Sequence, residues 1–198
     1  MGNIREQLSS KFPFMKEKVG RIIDPQYDFT RVVQENNNPR TLLLLCGVEG
    51  CGKTTFAKKY LSGYTVINLD DILITYLKTH NFQGTVKENE YLNQLFFNQA
   101  VRSLKKGITI LDCANHDIVF RAHTLDKLKN HYDKVIVFVF NPRFNTIINR
   151  INEQIELRAR PNLLEDVSQQ FTFFQYQISN HILEMGVDEV HFLHLPET

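Results

Sequence analysis

A three-layer α/β fold built on a five-stranded parallel sheet is what this 198-residue sequence predicts. Two observations point to it. Short, nearly continuous apolar runs alternate with segments of helical periodicity, and a glycine-rich stretch, residues 47–54, separates the first clear strand of the series from a helix. In chain order, residues 4–19 form an amphipathic helix, and Asp24-Pro25 with the polar stretch 35–39 marks a linker. The main domain then runs over residues 40–198, leaving residues 1–39 as a helical extension and linker. Its strands fall at 41–46, 64–69, 108–111, 134–140 and 189–195. Helices fill 54–61, the span 70–106, 119–132, a segment from Arg143, and 164–185. Strands this apolar along their whole length belong in a sheet covered by helices on both faces.

Composition narrows the classes. Hydrophobic residues at 42% and charged residues at 23% suit an ordinary globular domain, and a formal net charge of +1 supplies no global field for a polyanion or an anionic membrane. A polyanionic partner would have to use a local patch. Cys46, Cys51 and Cys113 are odd in number and lack metal-site spacing, which predicts free thiols and a reducing, cytoplasmic setting. No apolar run spans a bilayer and the N-terminus has no signal-like core, so a membrane location is not expected.

Residues 47–54, Gly-Val-Glu-Gly-Cys-Gly-Lys-Thr, satisfy G-x-x-x-x-G-K-[ST] between a strand and a helix, the context a P-loop requires. Backbone N–H groups from Gly47, Val48, Glu49, Gly50, Cys51 and Gly52 onward through Lys53, Thr54 and Thr55 can then converge on the phosphates of ATP. Lys53 bridges the terminal phosphates, and the Thr54 hydroxyl takes Mg2+. Cys51 at a helix N-terminus could be a redox switch, but the x positions of the motif tolerate many residues and no resolving partner is near, so no such role is expected; Cys46, at the end of a buried strand, reads as packing.

Carboxylates decide what a P-loop does. Asp70 follows the second strand of the domain, at the sheet edge where open α/β folds bind ligands, and suits a general base for an acceptor hydroxyl. Its neighbour Asp71 reads as a helix-start acid that complements the dipole. Asp112 closes the strand Ile-Thr-Ile-Leu in the manner of a Walker B acid and is a second magnesium group. Asn115 and His116 follow it as candidate contacts to the acceptor or to metal waters. Arg150, Arg158 and Arg160 lie on and beyond the helix that starts near Arg143, with Pro161 interrupting; they suggest a lid that carries a charge-neutralising arginine, for which Arg158 is preferred.

Together, the cradle 47–54, Asn-x-Asp-Asp at 68–71, Asp112 with Asn115, Arg121 and the lid arginines resemble the P-loop kinases of the polynucleotide 5'-kinase type and their zeta-toxin-like relatives, over residues 41–195. The resemblance implies strand order 2-3-1-4-5 among the five strands of the domain, Asp70 as general base, Lys53 and Thr54 as nucleotide and metal contacts, Arg158 or Arg160 as the lid arginine, and Arg121 near the acceptor. One position departs from the pattern: polynucleotide kinases of this type carry an arginine three residues after the base, and Leu73 stands there. Lys105 and Lys106 are other cations that could hold a polynucleotide. The expected activity is thus transfer of the ATP γ-phosphate to a hydroxyl, with a nucleic-acid 5'-hydroxyl as the first choice of acceptor and a small molecule such as a nucleoside or sugar nucleotide as the alternative. A nucleotide-dependent switch is a third reading, although the Asn-Lys-x-Asp guanine signature is absent.

Overall fold

The computed structural model describes residues 4–23, 29–36, 40–155 and 163–193. Nine helices and six strands occur among them: α1 Ile4–Lys11, α2 Phe14–Glu17, β1 Arg21–Ile23, α3 Phe29–Glu35, β2 Thr41–Cys46, α4 Lys53–Tyr60, β3 Thr65–Asn68, α5 Leu69–Leu77, α6 Val86–Leu104, β4 Thr109–Asp112, α7 Ile118–Leu128, β5 Lys134–Phe140, α8 Phe144–Ile155, α9 Leu163–Ser179 and β6 Glu189–Leu193. None of the described helices is long and apolar enough to cross a membrane.

The sheet is parallel throughout and has six strands in the order β1-β6-β5-β2-β4-β3. This corrects the expected count of five. The five strands of the main domain keep the order implied by the resemblance, and the extra strand comes from the N-terminal segment, where three residues pair with β6 at one edge. So short a strand leaves no periodicity to detect; its register, Ile22 opposite Val190, is set by a partner far along the chain. The single helix expected at 4–19 is instead two, α1 and α2, broken at Pro13, whose missing N–H cannot continue the first. The helix expected to run to residue 185 ends at Ser179, shortly before His181, which takes a positive φ of 55°.

β2 is central, and all six of its residues are buried, as are all four of β4 and six of seven in β5. Helices therefore cover both faces. Phe56 of α4 packs edge-on against Phe138 and Phe140 of β5, fixing the helix that follows the cradle to the sheet beneath it. At the far edge, Leu8, Phe12 and Met15 form a second apolar cluster with Ile118, Ala122, Ile182 and Met185, so the N-terminal helices brace the start of α7. Lys18 pairs with Asp188 at 2.7 Å on the same edge.

Candidate active site at the ends of β2, β3 and β4

The ends of a parallel sheet gather residues that are remote in sequence, and three adjacent strands do so here. Cys46, at the end of β2, leads into the loop 47–52, and α4 begins at Lys53. Gly47 is sterically required: a Cβ there would lie 2.6 Å from the Cys51 Sγ and 2.6 Å from the Phe140 carbonyl oxygen. Gly52 precedes α4 with φ 100°, in the left-handed region that side chains disfavour. No side chain among the described residues caps α4, so its first N–H groups and the positive end of its dipole are left for an anion. The Lys53 ammonium curls over the loop, donating to the Gly47 carbonyl at 2.7 Å and the Val48 carbonyl at 3.0 Å. Val48 and Cys51 turn their side chains into the core, so their share of the cradle is backbone; Glu49 and Gly50 are half-buried and Thr55 is exposed.

Asp112, only 3% exposed, ends β4 beside the cradle. Its Oδ2 accepts from the Thr54 hydroxyl at 2.7 Å and from the Asn68 amide at 2.9 Å. A hydroxyl and a carboxylate at this separation are hard oxygen donors of the kind magnesium takes, with nucleotide phosphates and water completing the shell. The residues present therefore fit the ion. In the sheet register Asn68 lies opposite Asp112, and Asp70 follows two residues later in the first turn of α5. Asn68 is the N-cap: its Oδ1 accepts from the backbone N–H groups of Asp70 and Asp71 at 2.8 and 3.1 Å. The cap thus needs neither aspartate, and the carboxylates of Asp70 and Asp71 are exposed at the sheet edge. Asn68, which the sequence pattern marks only as part of a motif, ties Asp112 to the helix that carries Asp70.

The loop after β4 is built around two residues expected at the acceptor. Asn115 is wholly buried, and its amide donates to the Leu45 carbonyl at 3.1 Å and the Leu111 carbonyl at 2.9 Å, clamping the ends of β2 and β4 together. Arg121 is 0% exposed rather than presented to an acceptor. Its guanidinium donates to the Asn115 carbonyl at 2.6 Å and to Gln177 Oε1 of α9 at 3.3 Å, and approaches Cys46 Sγ at 3.8 Å. Its Nε has no hydrogen-bond partner among the described residues. Burial lowers the Arg121 pKa. Both residues brace the strand ends that carry the site; direct contact with a substrate is not where the fold puts them.

Burial pushes the Cys46 thiol up to about 11, so it stays protonated and donates to the Asn115 carbonyl at 3.1 Å. Burial, then the neighbouring Asp112 charge, raises Cys113 as well. All three cysteines are free. His116 is pushed down to about 4, first by burial and then by the Lys53 charge, and is neutral at physiological pH.

Of the arginines beyond β5, Arg150 reaches the cradle. Its Nη1 lies 3.4 Å from the Cys51 carbonyl, and a Cβ added at Gly52 would meet the same nitrogen at 3.3 Å. Arg158 and Arg160 lie outside the described residues.

The sequence pattern of the AAA domain family matches residues 42–172. The chain belongs to that family. No curated protein matches it. Among solved structures, a chain of the Pnkp1/Rnl/Hen1 RNA repair complex is similar at 20% identity with a TM-score of 0.60, covering 74% of this chain and 48% of that one. This protein thus spans about half the length of that relative. A putative kinase from Chloroflexus aurantiacus J-10-fl is similar at 12% identity with a TM-score of 0.55, covering 79% of this chain and 85% of that one. Kti12 from Chaetomium thermophilum, in complex with ADP-AlF3, is similar at 18% identity with a TM-score of 0.53, covering 78% and 89%. Together with the family match, these likenesses agree with the P-loop kinase resemblance seen in the sequence; they establish the fold of this AAA-family domain.

Proposed function

We propose that this AAA-family domain is a magnesium- and ATP-dependent phosphotransferase that moves the γ-phosphate to a hydroxyl, with a nucleic-acid 5'-hydroxyl as the preferred acceptor. The observation that carries the reading is the convergence at three adjacent strand ends of Lys53, of Thr54 on Asp112 at 2.7 Å, and of Asp70 two residues beyond the register partner of Asp112. A phosphate cradle alone serves many functions; an exposed carboxylate placed next to the magnesium acid, yet one helix start away from it, is what phosphoryl transfer to a hydroxyl requires.

In this scheme the backbone of residues 47–55 and the ammonium of Lys53 hold the phosphates, exchanging the Gly47 and Val48 carbonyls for phosphate oxygens. Thr54 and Asp112 hold Mg2+, which when bound neutralises charge on the β and γ phosphates. Asp70 orients the acceptor hydroxyl and takes its proton. Arg150, already against the loop, adds positive charge at the cradle, and Arg158 or Arg160 does so from the lid. Asn115 and Arg121 keep the two strand ends in place. In this reading the chain before residue 40 is an extension whose β1 joins the sheet edge, residues 40–198 are the catalytic domain, and the setting is cytoplasmic.

The nucleic-acid acceptor draws support from the motif order and from the likeness to a chain of an RNA repair complex. One observation favours a small acceptor instead: α5 carries no lysine or arginine, and Leu73 occupies the position where a phosphate grip would be expected. Transfer of labelled γ-phosphate from ATP, screened against 5'-hydroxyl oligonucleotides, nucleosides and sugar nucleotides, tests both. Labelling of oligonucleotides at their 5' ends is the expected result, and labelling of a metabolite alone would overturn the acceptor assignment.

A further inference from the structure

Four large apolar side chains are exposed on α5 and α6. Ile74 is 54% exposed, Leu77 48%, Tyr91 50% and Val86 73%. Scattered exposed hydrophobics need no explanation, but here Ile74 and Leu77 share one face of α5, which packs on α6. Its placement is informative. Asp70, Leu73, Ile74 and Leu77 follow the i, i+3, i+4, i+7 spacing, so one face of α5 runs from the candidate base along an apolar stripe.

At its far end the stripe meets an ordered aromatic stack. The rings of Tyr76 and His80 are parallel within 5° at a centroid distance of 4.1 Å. Tyr76 is backed by Phe82, edge-on at 6.3 Å, and by Tyr91 at 5.9 Å. The His80 ring is held by its Nδ1, which lies 2.8 Å from the Thr79 hydroxyl and 3.2 Å from the Tyr76 carbonyl. His80 is exposed, with the Glu88 carboxylate close enough to feel its charge, while Tyr76 is half-buried, so the stack is anchored on the Tyr76 side. A planar ring can extend such a column. Six residues of helix separate Asp70 from Tyr76, which is turned about 120° from it and lies beside Leu73; the axial rise of roughly 9 Å is comparable to two or three stacked nucleotides at about 3.4 Å each.

We propose that the α5 face and the Tyr76–His80 stack form the acceptor subsite of this domain and hold a nucleic-acid 5' end by its bases, through apolar contact and stacking, in place of a phosphate grip. The proposal rests on the nucleic-acid reading above and refines it. It accounts for Leu73: a helix without cations cannot pair with phosphates, but an apolar helix ending in stacked rings suits bases, whose π-faces are sequence-tolerant partners. A corollary is weak salt dependence, because few counterions are released when few phosphates are neutralised.

The test compares His80→Ala, His80→Phe and Tyr76→Ala with the unaltered protein in steady-state phosphorylation of 5'-hydroxyl oligonucleotides, intact or carrying abasic sites at the second and third nucleotides. Melting temperature checks folding. His80→Ala should raise the KM for the oligonucleotide by roughly five- to a hundredfold, the range that base–aromatic stacking spans, with kcat little changed, and His80→Phe should restore it. Abasic sites should cost the unaltered protein a similar factor and cost His80→Ala nothing further. If oligonucleotides are phosphorylated but neither His80→Ala nor the abasic sites changes KM, the subsite is wrong while the acceptor class stands. If no oligonucleotide binds or is labelled, both fall.

Discussion

Asp112 allows scaffold and chemistry to be separated by two substitutions at one position. Its Oδ2 accepts two hydrogen bonds, from the Thr54 hydroxyl at 2.7 Å and the Asn68 amide at 2.9 Å, in a site that is 3% exposed. Asp112→Ala leaves both donors without their acceptor. Thr54 is exposed and Asn68 half-buried, so both can turn to water, and at about 0.5–1.5 kcal/mol for each lost hydrogen bond the loss should be roughly 1–3 kcal/mol, which for a chain of this length lowers Tm by about 2–12 °C. Asp112→Asn has nearly the same shape, and its amide oxygen can still accept from both donors, so stability should change by no more than about 1 kcal/mol. What it loses is the negative charge. Chemical denaturation of the three proteins gives the stabilities, and calorimetry with a nonhydrolysable ATP analogue, with and without magnesium, gives the affinities. The expected pattern is a stable Asp112→Asn protein that binds nucleotide but gains little from magnesium, beside a destabilised Asp112→Ala protein. An Asp112→Asn protein as unstable as the alanine variant, with its magnesium response intact, would refute the metal assignment and leave Asp112 a purely structural acceptor.

Three further outcomes are expected. Gly47→Ala forces a methyl to 2.6 Å from a backbone carbonyl that cannot swing away, so it should cost about 1–3 kcal/mol by overpacking and abolish ATP-analogue binding; a folded variant of normal affinity would contradict the cradle geometry. Asp70→Asn should leave ATP affinity near normal and lower turnover by about a hundredfold or more, while wild-type turnover would return Asp70 to the helix dipole alone. His116 is held neutral, its pKa pushed down from the ordinary 6.5 to about 4 by burial and by Lys53. The unfolded chain therefore binds the extra proton between those values, and stability rises with pH across that window and is lost as pH falls from about 6.5 toward 4. A tenfold change in proton affinity is worth about 1.36 kcal/mol, so the loss is on the order of 3 kcal/mol. Denaturation of His116→Asn across this range should show a flatter profile; an unchanged slope would assign the acid sensitivity to other groups.

Local chemistry determined much of this protein. The cradle could be located because its parts are contiguous: glycines, lysine and threonine within eight residues, between a strand too apolar for a surface and a helix. The carboxylates Asp70 and Asp112 were visible for a related reason, since each closes or directly follows an apolar run of strand character at the carboxyl edge of the sheet. The order of the five main strands followed from the resemblance these residues carry. The tertiary structure alone decided the rest, because it depends on contacts that no local pattern encodes. β1 exists only as a partner for β6, and three residues cannot hold a strand alone. Arg150 meets the Cys51 carbonyl across 99 residues, so its choice among the arginines is set by how α8 crosses the cradle. Asn115 and Arg121 have the residue types of substrate contacts, but the packing of α7 and α9 over the strand ends turns both inward, where their hydrogen bonds go to Leu45, Leu111 and Gln177. Polarity shows that a side chain must find partners; only the fold decides whether those partners are ligand or protein.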